Sequence, residues 1–136
     1  MQDIPDKSTL LTAVARFLKR DLAPVTESPA LRFRVLIAAN LLGVVTREIG
    51  LEAAHFNAEV DRLDGLLSEE AVAQLRAAQG EEARRAALSE AYAQLLTAPE
   101  VPEDALFAHV QATLAEKLAV INPRFDLSMT VDQEVS

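Results

Sequence analysis

The first apolar pattern of the chain lies between residues 8 and 22. Leu10, Val14 and Phe17 follow one another at spacings of four and three residues, which places their side chains on one face of an α-helix. Pro24 lies just beyond this segment, and a proline disfavours the helical conformation in the residue before it. The pattern therefore predicts an amphipathic helix over 8–22.

The second pattern is the most apolar one in the chain. Pro29 suits the first position of a helix, and Gly50 suits the left-handed conformation that often ends one. Between residues 35 and 45 the only polar side chain is that of Asn40. A helix that is apolar nearly all round is usually buried, so we expect residues 29–49 to form a buried central helix. The apolar run has eleven residues, about half of the roughly twenty that cross a bilayer, which argues against a membrane span.

Two further stretches have one apolar stripe each. In residues 52–66 the stripe predicts a helix that turns Glu59 and Arg62 to solvent. In the last helix, predicted from Pro102 to Asn122, the stripe is expected to point inward. The first stripe consists of Phe56, Val60 and Leu63, and the second of Leu106, Phe107, Val110, Leu114 and Ile121.

Between these two stretches the chain is rich in alanine and glutamate. Residues 68–96 have the composition of helix, but Gly80 interrupts them, so the sequence fits either one kinked helix or two helices. The tail from about 126 follows the last predicted helix and is expected to be loosely ordered. Together the patterns predict an all-α, single-domain bundle of about five helices, which spans 1–136 and is built around the buried helix 29–49.

Composition narrows the class of protein. The chain has 136 residues, of which 50% are hydrophobic and 25% are charged, as expected for one globular domain. Its formal net charge of −8 repels phosphate backbones and anionic lipid surfaces, so we expect neither nucleic-acid nor membrane partners. The N-terminus lacks the pattern of a secretory signal, and we predict a cytoplasmic protein.

The motifs of common catalytic and cofactor sites do not occur in the sequence. There is no cysteine, no glycine-rich phosphate loop, no nucleophile elbow and no paired zinc-ligand motif. Glu52 and His55 have the spacing of one half of a di-iron site, but His109 has Leu106 where the second half requires a glutamate. We therefore predict a protein that is not an enzyme and that has no metal site and no cofactor.

Four polar side chains lie where they require a partner. Asn40 is in line with apolar residues of the central helix, and Lys117 falls in the apolar stripe of the last helix. A buried amide without partners costs about 1–3 kcal/mol, so Asn40 requires either a backbone hydrogen bond or a ligand. Arg32 and Arg34 lie near the positive end of a helix dipole, where an acidic side chain or a bound anion must compensate them.

Two stretches resemble the signatures of an uncharacterised bacterial family of short helical proteins. The first runs from Arg32 through Asn40 to Arg47 and Glu48, and the second runs from Lys117 through Asn122 to Phe125. Members of this family are typically encoded beside, or fused to, aminoglycoside-phosphotransferase-like kinases, often near acyl-CoA dehydrogenases. The resemblance implies an accessory role, a kinase-like partner and seven residues of importance: Arg32, Asn40, Arg47, Glu48, Lys117, Asn122 and Arg124.

Two functions fit the sequence best, and an enzyme that acts through an Asp, Glu or Lys side chain without a recognisable motif is a third alternative. The first is a non-catalytic accessory or protein-interaction module that works with an aminoglycoside-phosphotransferase-like kinase. The second is a small-ligand-binding helical domain whose pocket is lined by Phe33, Ile37 and Phe107, with Asn40 or Lys117 as its polar anchor. The same polar residues also fit an internal clamp between the last helix and the central helix. Self-association to a homodimer is open, because alanine-rich helices pack closely.

Overall fold

The structure is a computed structural model, and it describes residues 5–98 and 100–124. These residues form helices joined by short turns, without a β-strand among them. The predicted all-α class with five helices is therefore confirmed. The loose tail predicted from about 126 lies outside the described residues. The five helices are α1 (Lys7–Phe17), α2 (Pro29–Asp64), α3 (Glu69–Ala77), α4 (Glu81–Thr97) and α5 (Glu103–Ile121).

The chain divides into two compact units, Met1–Glu52 and Ala53–Ser136. Helix α1 and the N-terminal part of α2 belong to the first unit, and the C-terminal part of α2 belongs to the second together with α3, α4 and α5. The single-domain organisation over 1–136 stays a prediction.

Helix α1 begins at a side-chain cap and ends in an irregular turn. The Asp6 carboxylate accepts a hydrogen bond of 2.8 Å from the Thr9 amide, which satisfies one of the free amides at the helix start. After α1 the chain continues as a π-helical turn, Leu18–Leu22, and a last α-helical turn, Ala23–Val25. Pro24 has no amide hydrogen to bond the carbonyl four residues before it, which agrees with the wider turn at this point.

Helix α2 is longer than the sequence predicted. The pattern places a helix end at Gly50 and a new helix from residue 52, whereas the structure has one continuous helix from Pro29 to Asp64. A glycine inside a helix costs only about 1 kcal/mol relative to alanine. Beyond it Val60 and Leu63 are almost completely buried, and this packing outweighs the cost.

The N-terminal part of α2 is not the buried centre of the protein. Among residues 29–49 only Ala39 is buried, while Phe33 is 65% exposed and Leu41 is 57% exposed. The predicted burial of helix 29–49 is therefore wrong. Apolar composition shows that a helix requires a covering surface, but it does not show that the same chain supplies that surface.

Helix α2 is also the one helix of the described residues that is long and apolar enough to cross a membrane. Its most apolar window of 18 residues has a mean hydropathy of 1.4, and 6% of that window is buried. This result follows from length and composition alone, and core helices of soluble proteins and signal sequences share both properties. The expectation that the chain has no membrane partner stays a prediction.

The hydrophobic core of the second unit lies between α2, α3 and α4. Leu63 and Leu75 are fully buried at its centre, and Leu106 of α5 packs against it. The stripe predicted for residues 52–66 thus faces a core, as expected. The buried core residues are Phe56, Val60 and Leu63 from α2, Val72 and Leu75 from α3, and Ala91 and Leu95 from α4.

The alanine-rich stretch 68–96 consists of two helices. The Ser68 hydroxyl accepts a hydrogen bond of 3.3 Å from the Ala71 amide and caps α3. Helix α3 ends at Ala77, and α4 begins after Gly80, whose φ of 83° is positive. A side chain at that backbone conformation is strained, so glycine permits the break between the two helices.

Candidate functional site

A hydrogen-bonded polar cluster joins three helices of the second unit. The Tyr92 hydroxyl on α4 donates a hydrogen bond to Glu59 Oε1 on α2, and its oxygen lies 2.9 Å from His109 Nε2 on α5. Because the hydroxyl has one hydrogen and gives it to the carboxylate, it accepts the second hydrogen bond from Nε2–H. This arrangement assigns the proton of a neutral His109 ring to Nε2 and a lone pair to Nδ1.

An ion pair beside this cluster joins α2 to α5 a second time. Arg62 Nη1 and Nη2 each donate a hydrogen bond of 2.8 Å to an oxygen of the Glu116 carboxylate. Arg62 Nη2 also lies 3.2 Å from the Thr113 hydroxyl. A two-point guanidinium–carboxylate contact fixes both distance and orientation, so this pair sets how α5 lies on α2.

Burial and neighbouring charge determine the protonation states of the cluster. His109 is 3% exposed, and its burial, followed by the positive charge of Arg62, lowers its pKa. Burial and the hydrogen bond to Glu59 raise the pKa of Tyr92, while the hydrogen bond from Arg62 lowers the pKa of the Glu116 carboxyl. At neutral pH the histidine and the tyrosine are therefore neutral, and Glu116 is ionised.

The cluster joins helices to each other. Tyr92 uses its hydroxyl for Glu59 and His109, and Arg62 uses both terminal nitrogens for α5. Within residues 5–98 and 100–124, no group of three or more His, Cys, Asp or Glu side chains is placed to hold a metal ion. The arrangement is that of an internal clamp across a helix interface, in which His109 Nδ1 and Arg62 Nε are buried without a hydrogen-bond partner among the described residues.

The face of α5 that packs against the other helices of the second unit is not the predicted one. His109 is buried, and Thr113 and Glu116 contact α2. Most of the predicted inward stripe is exposed: Phe107 by 62%, Val110 by 45%, Leu114 by 52% and Ile121 by 63%. The inward orientation predicted for these four residues is wrong, because hydrogen bonds to α2 and α4 compensate the burial of polar residues and hold the opposite side of α5 against the core.

The predicted site residues of the first unit lie along α2. Arg32 donates hydrogen bonds of 3.2 Å from Nε and 2.8 Å from Nη2 to the Thr26 carbonyl oxygen, so a backbone acceptor takes the place of the expected carboxylate or anion. Asn40 and Glu48 are exposed, and Arg47 is half-buried. The premise that Asn40 is a buried amide is therefore wrong.

The predicted site residues of the second unit lie at the end of α5. All three are exposed: Lys117, Asn122 and Arg124. Asn122 caps the helix, and its backbone amide donates a hydrogen bond of 2.7 Å to the Leu118 carbonyl. The predicted clamp between these residues and Asn40 stays a prediction. The clamp that the structure does contain is made by other residues.

The residues of the observed clamp were missed for a physical reason. Glu59 and Arg62 are three residues apart, and His109, Thr113 and Glu116 are spaced by four and three, so each set forms one polar stripe on its helix. The usual interpretation of such stripes is a solvated face. A signal was present in the single tyrosine and the second histidine, whose rings are often partly buried.

One groove among the described residues differs from the predicted ligand pocket. A groove of about 320 Å³ lies at the start of α1. It contains neither of the proposed anchors, Asn40 and Lys117, and the ligand-binding alternative stays a prediction. The groove is lined by Asp6, Ser8, Thr9, Thr12, Ala13 and Arg16.

The fold and the clamp define an all-α helical protein with internal polar contacts between helices. The chain belongs to the family described as a domain of unknown function, DUF6285, whose family model matches residues 25–125. No curated protein and no solved structure matches it. The resemblance to an uncharacterised family agrees with this assignment, and its association with kinase genes stays a prediction.

Proposed function

We propose that this chain is a non-catalytic interaction module that binds an aminoglycoside-phosphotransferase-like kinase in the cytoplasm. One observation carries the proposal: α5 contacts the other helices of its unit through polar residues and Leu106, and it exposes four large apolar side chains. We call the exposed set the α5 stripe, and it consists of Phe107, Val110, Leu114 and Ile121.

The α5 stripe has the properties of a protein-binding surface. The angular positions of its four residues differ by about 60° at most, so they form one continuous face of the helix. Contiguous apolar surface of this kind marks interaction sites in soluble proteins. The helix does not need this face to pack on α2, because Arg62 already contacts Glu116 from the other side.

The charge of the second unit limits the kind of partner. Residues 53–136 contain fifteen acidic and six basic side chains. An apolar stripe on such an acidic background favours a partner whose own apolar patch has a basic rim, because complementary charge speeds and orients association. The choice of a phosphotransferase-like kinase comes from the family resemblance and is tested directly.

The test is co-expression with an aminoglycoside-phosphotransferase-like kinase of the source organism. Size-exclusion chromatography with light scattering should give a one-to-one complex. Leu114→Asp places a charge in the middle of the α5 stripe and should weaken the complex at least tenfold, which corresponds to about 1.4 kcal/mol.

The matched control is Ala108→Asp, which adds the same charge to an exposed position outside the stripe on the same helix. It should leave the affinity within a factor of about two. Two separately eluting proteins, or equal loss with both variants, would refute the proposed binding surface.

A further inference from the structure

Within its described residues, the first unit has no core of large buried side chains. Within residues 5–52 the buried residues are Ala23, Thr26 and Ala39, and none of these has a large apolar side chain. Helices on their own are marginally stable and depend on packing of an apolar face. The unit instead exposes, by 39% to 72%, Leu10, Val14, Phe17, Val25, Leu31, Phe33, Leu36, Ile37, Leu41, Val45 and Ile49.

Four of these side chains form one apolar face on α2. Phe33, Leu36, Ile37 and Leu41 follow one another at spacings of three, one and four residues, which places them within about 140° of one another around the helix. We call these four residues together with Asn40 the α2 face. Asn40 is exposed, and around the helix its position lies between those of Leu36 and Phe33, inside this apolar face.

We infer that the α2 face binds the same face of a second copy of this chain, with the two Asn40 side chains opposite each other at a two-fold axis. An amide carries both donors and an acceptor, so two copies can hydrogen-bond to each other. Symmetry then supplies a polar partner for Asn40 without any other polar group on the surface. A single asparagine in an apolar helix interface has this role in coiled-coil dimers, where it fixes register and the number of chains.

The charge distribution favours the first unit as the meeting point of two copies. Residues 1–52 contain seven basic and six acidic side chains, whereas residues 53–136 contain six basic and fifteen acidic ones. Two second units therefore repel each other, while two first units are nearly neutral and have charges of both signs. Twofold symmetric dimers are also the commonest assemblies of soluble proteins.

This inference does not depend on the proposed function. The α2 face and the α5 stripe share no residue, so substitutions separate the two interactions. A module that is dimeric through its first unit presents two α5 stripes to its partner.

The experiment is sedimentation equilibrium of the full chain over a wide range of concentrations. The wild type should have twice the chain mass of 14.8 kDa. Asn40→Asp hardly changes the shape of an exposed side chain, but in the dimer it places two carboxylates opposite each other. We expect it to raise the dimer dissociation constant at least tenfold.

The matched control is Ala38→Asp, which adds a carboxylate to an exposed position about 200° around the helix from Asn40 and should leave the dimer intact. Ile37→Asp should also dissociate the dimer, and circular dichroism at high concentration shows whether its helices persist. The inference is overturned if the wild type is monomeric throughout, if the dimer is insensitive to Asn40→Asp and Ile37→Asp, or if Leu114→Asp dissolves it. It is likewise overturned if Asn40→Asp abolishes the kinase complex while the chain alone is a monomer.

Discussion

Arg62 and Glu116 bind each other at two points across the interface of α2 and α5, with Nη1–Oε1 and Nη2–Oε2 distances of 2.8 Å. Both side chains are about three-quarters buried. An isolated buried charge is costly, so each of the two residues depends on the other. The pair and the neighbouring contact of Tyr92 with His109 hold α5 in place through polar side chains. An ordinary amphipathic helix would pack at such an interface through leucine side chains.

Glu116→Gln tests this ion pair with little change of shape. The variant leaves the Arg62 charge without its carboxylate, and we expect the free energy of unfolding to fall by about 1–3 kcal/mol. Urea denaturation followed by circular dichroism measures the loss. Glu81→Gln is the control, because its pair with Arg85 is largely exposed and such pairs contribute less than about 1 kcal/mol. Equal losses in the two variants would contradict a special role of Glu116.

Tyr92→Phe removes the hydroxyl that joins Glu59 to His109. Both partners then stay in place without their hydrogen-bonding group, and we expect a loss of about 1–3 kcal/mol in the free energy of unfolding. Glu59→Gln keeps an acceptor oxygen for the hydroxyl and should lose less. A Tyr92→Phe protein as stable as the wild type would show that the hydroxyl is not part of a stabilising contact.

The stability of the second unit should fall on acidification. The pKa of His109 is lowered in the folded protein, so the unfolded chain takes up a proton first as the pH falls through about 6.5. The pKa of Glu116 is also lowered. Its contribution to the stability of the fold is therefore complete above the pKa that Glu116 has in the unfolded chain, and it is lost as the pH falls toward the pKa of Glu116 in the folded protein. Both groups therefore destabilise the fold at low pH.

His109→Gln separates the two steps of this pH dependence. A plot of unfolding free energy against pH should lose its steep segment just below pH 6.5, where one proton contributes a slope of up to about 1.4 kcal/mol per pH unit. The control is His55→Gln, which removes the other histidine and leaves His109 intact, so the segment should persist. If the steep segment survives His109→Gln and disappears in His55→Gln, it arises from His55 and the expectation for His109 is wrong.

Ser68→Ala tests the cap between the long helix and α3. The hydroxyl accepts a hydrogen bond from the Ala71 amide, and loss of such a cap costs about 1 kcal/mol. Ser89→Ala, at an exposed position inside α4, should be neutral or slightly stabilising, because alanine is the better helix former. A thermal melt distinguishes the two variants, and the expectation fails if Ser68→Ala melts with the wild type.

Local rules were sufficient to predict most of the fold from the sequence. The proline before α5 is a signal that acts over a few residues, and α5 begins close to where it was expected. Gly80 divides residues 68–96, for which the sequence fits either one kinked helix or two, into α3 and α4. Gly50 was the exception, because the packing of Val60 and Leu63 overrides a weak helix-ending preference. That packing depends on residues far along the chain.

The orientation of helices was harder to predict than their existence. The sequence placed Phe107 and Leu114 inward and Arg62 outward, and the structure has the reverse. The amphipathic rule compares apolar with polar positions on one helix, and it does not detect that a polar group has a matching partner on another. A clamp that joins α2, α4 and α5 is visible only when all three helices are considered together.

Tyr92 has a further use as a built-in optical probe. The chain has one tyrosine and no tryptophan, so its phenolic emission comes from the residue at which α2, α4 and α5 meet. A carboxylate that accepts the phenolic hydrogen quenches this emission, and the signal should rise when the contact opens. Circular dichroism averages over all helices, including those of the first unit. Agreement of the two unfolding curves would mean that the whole chain unfolds as one cooperative body, and a difference between them would mean that its halves unfold independently.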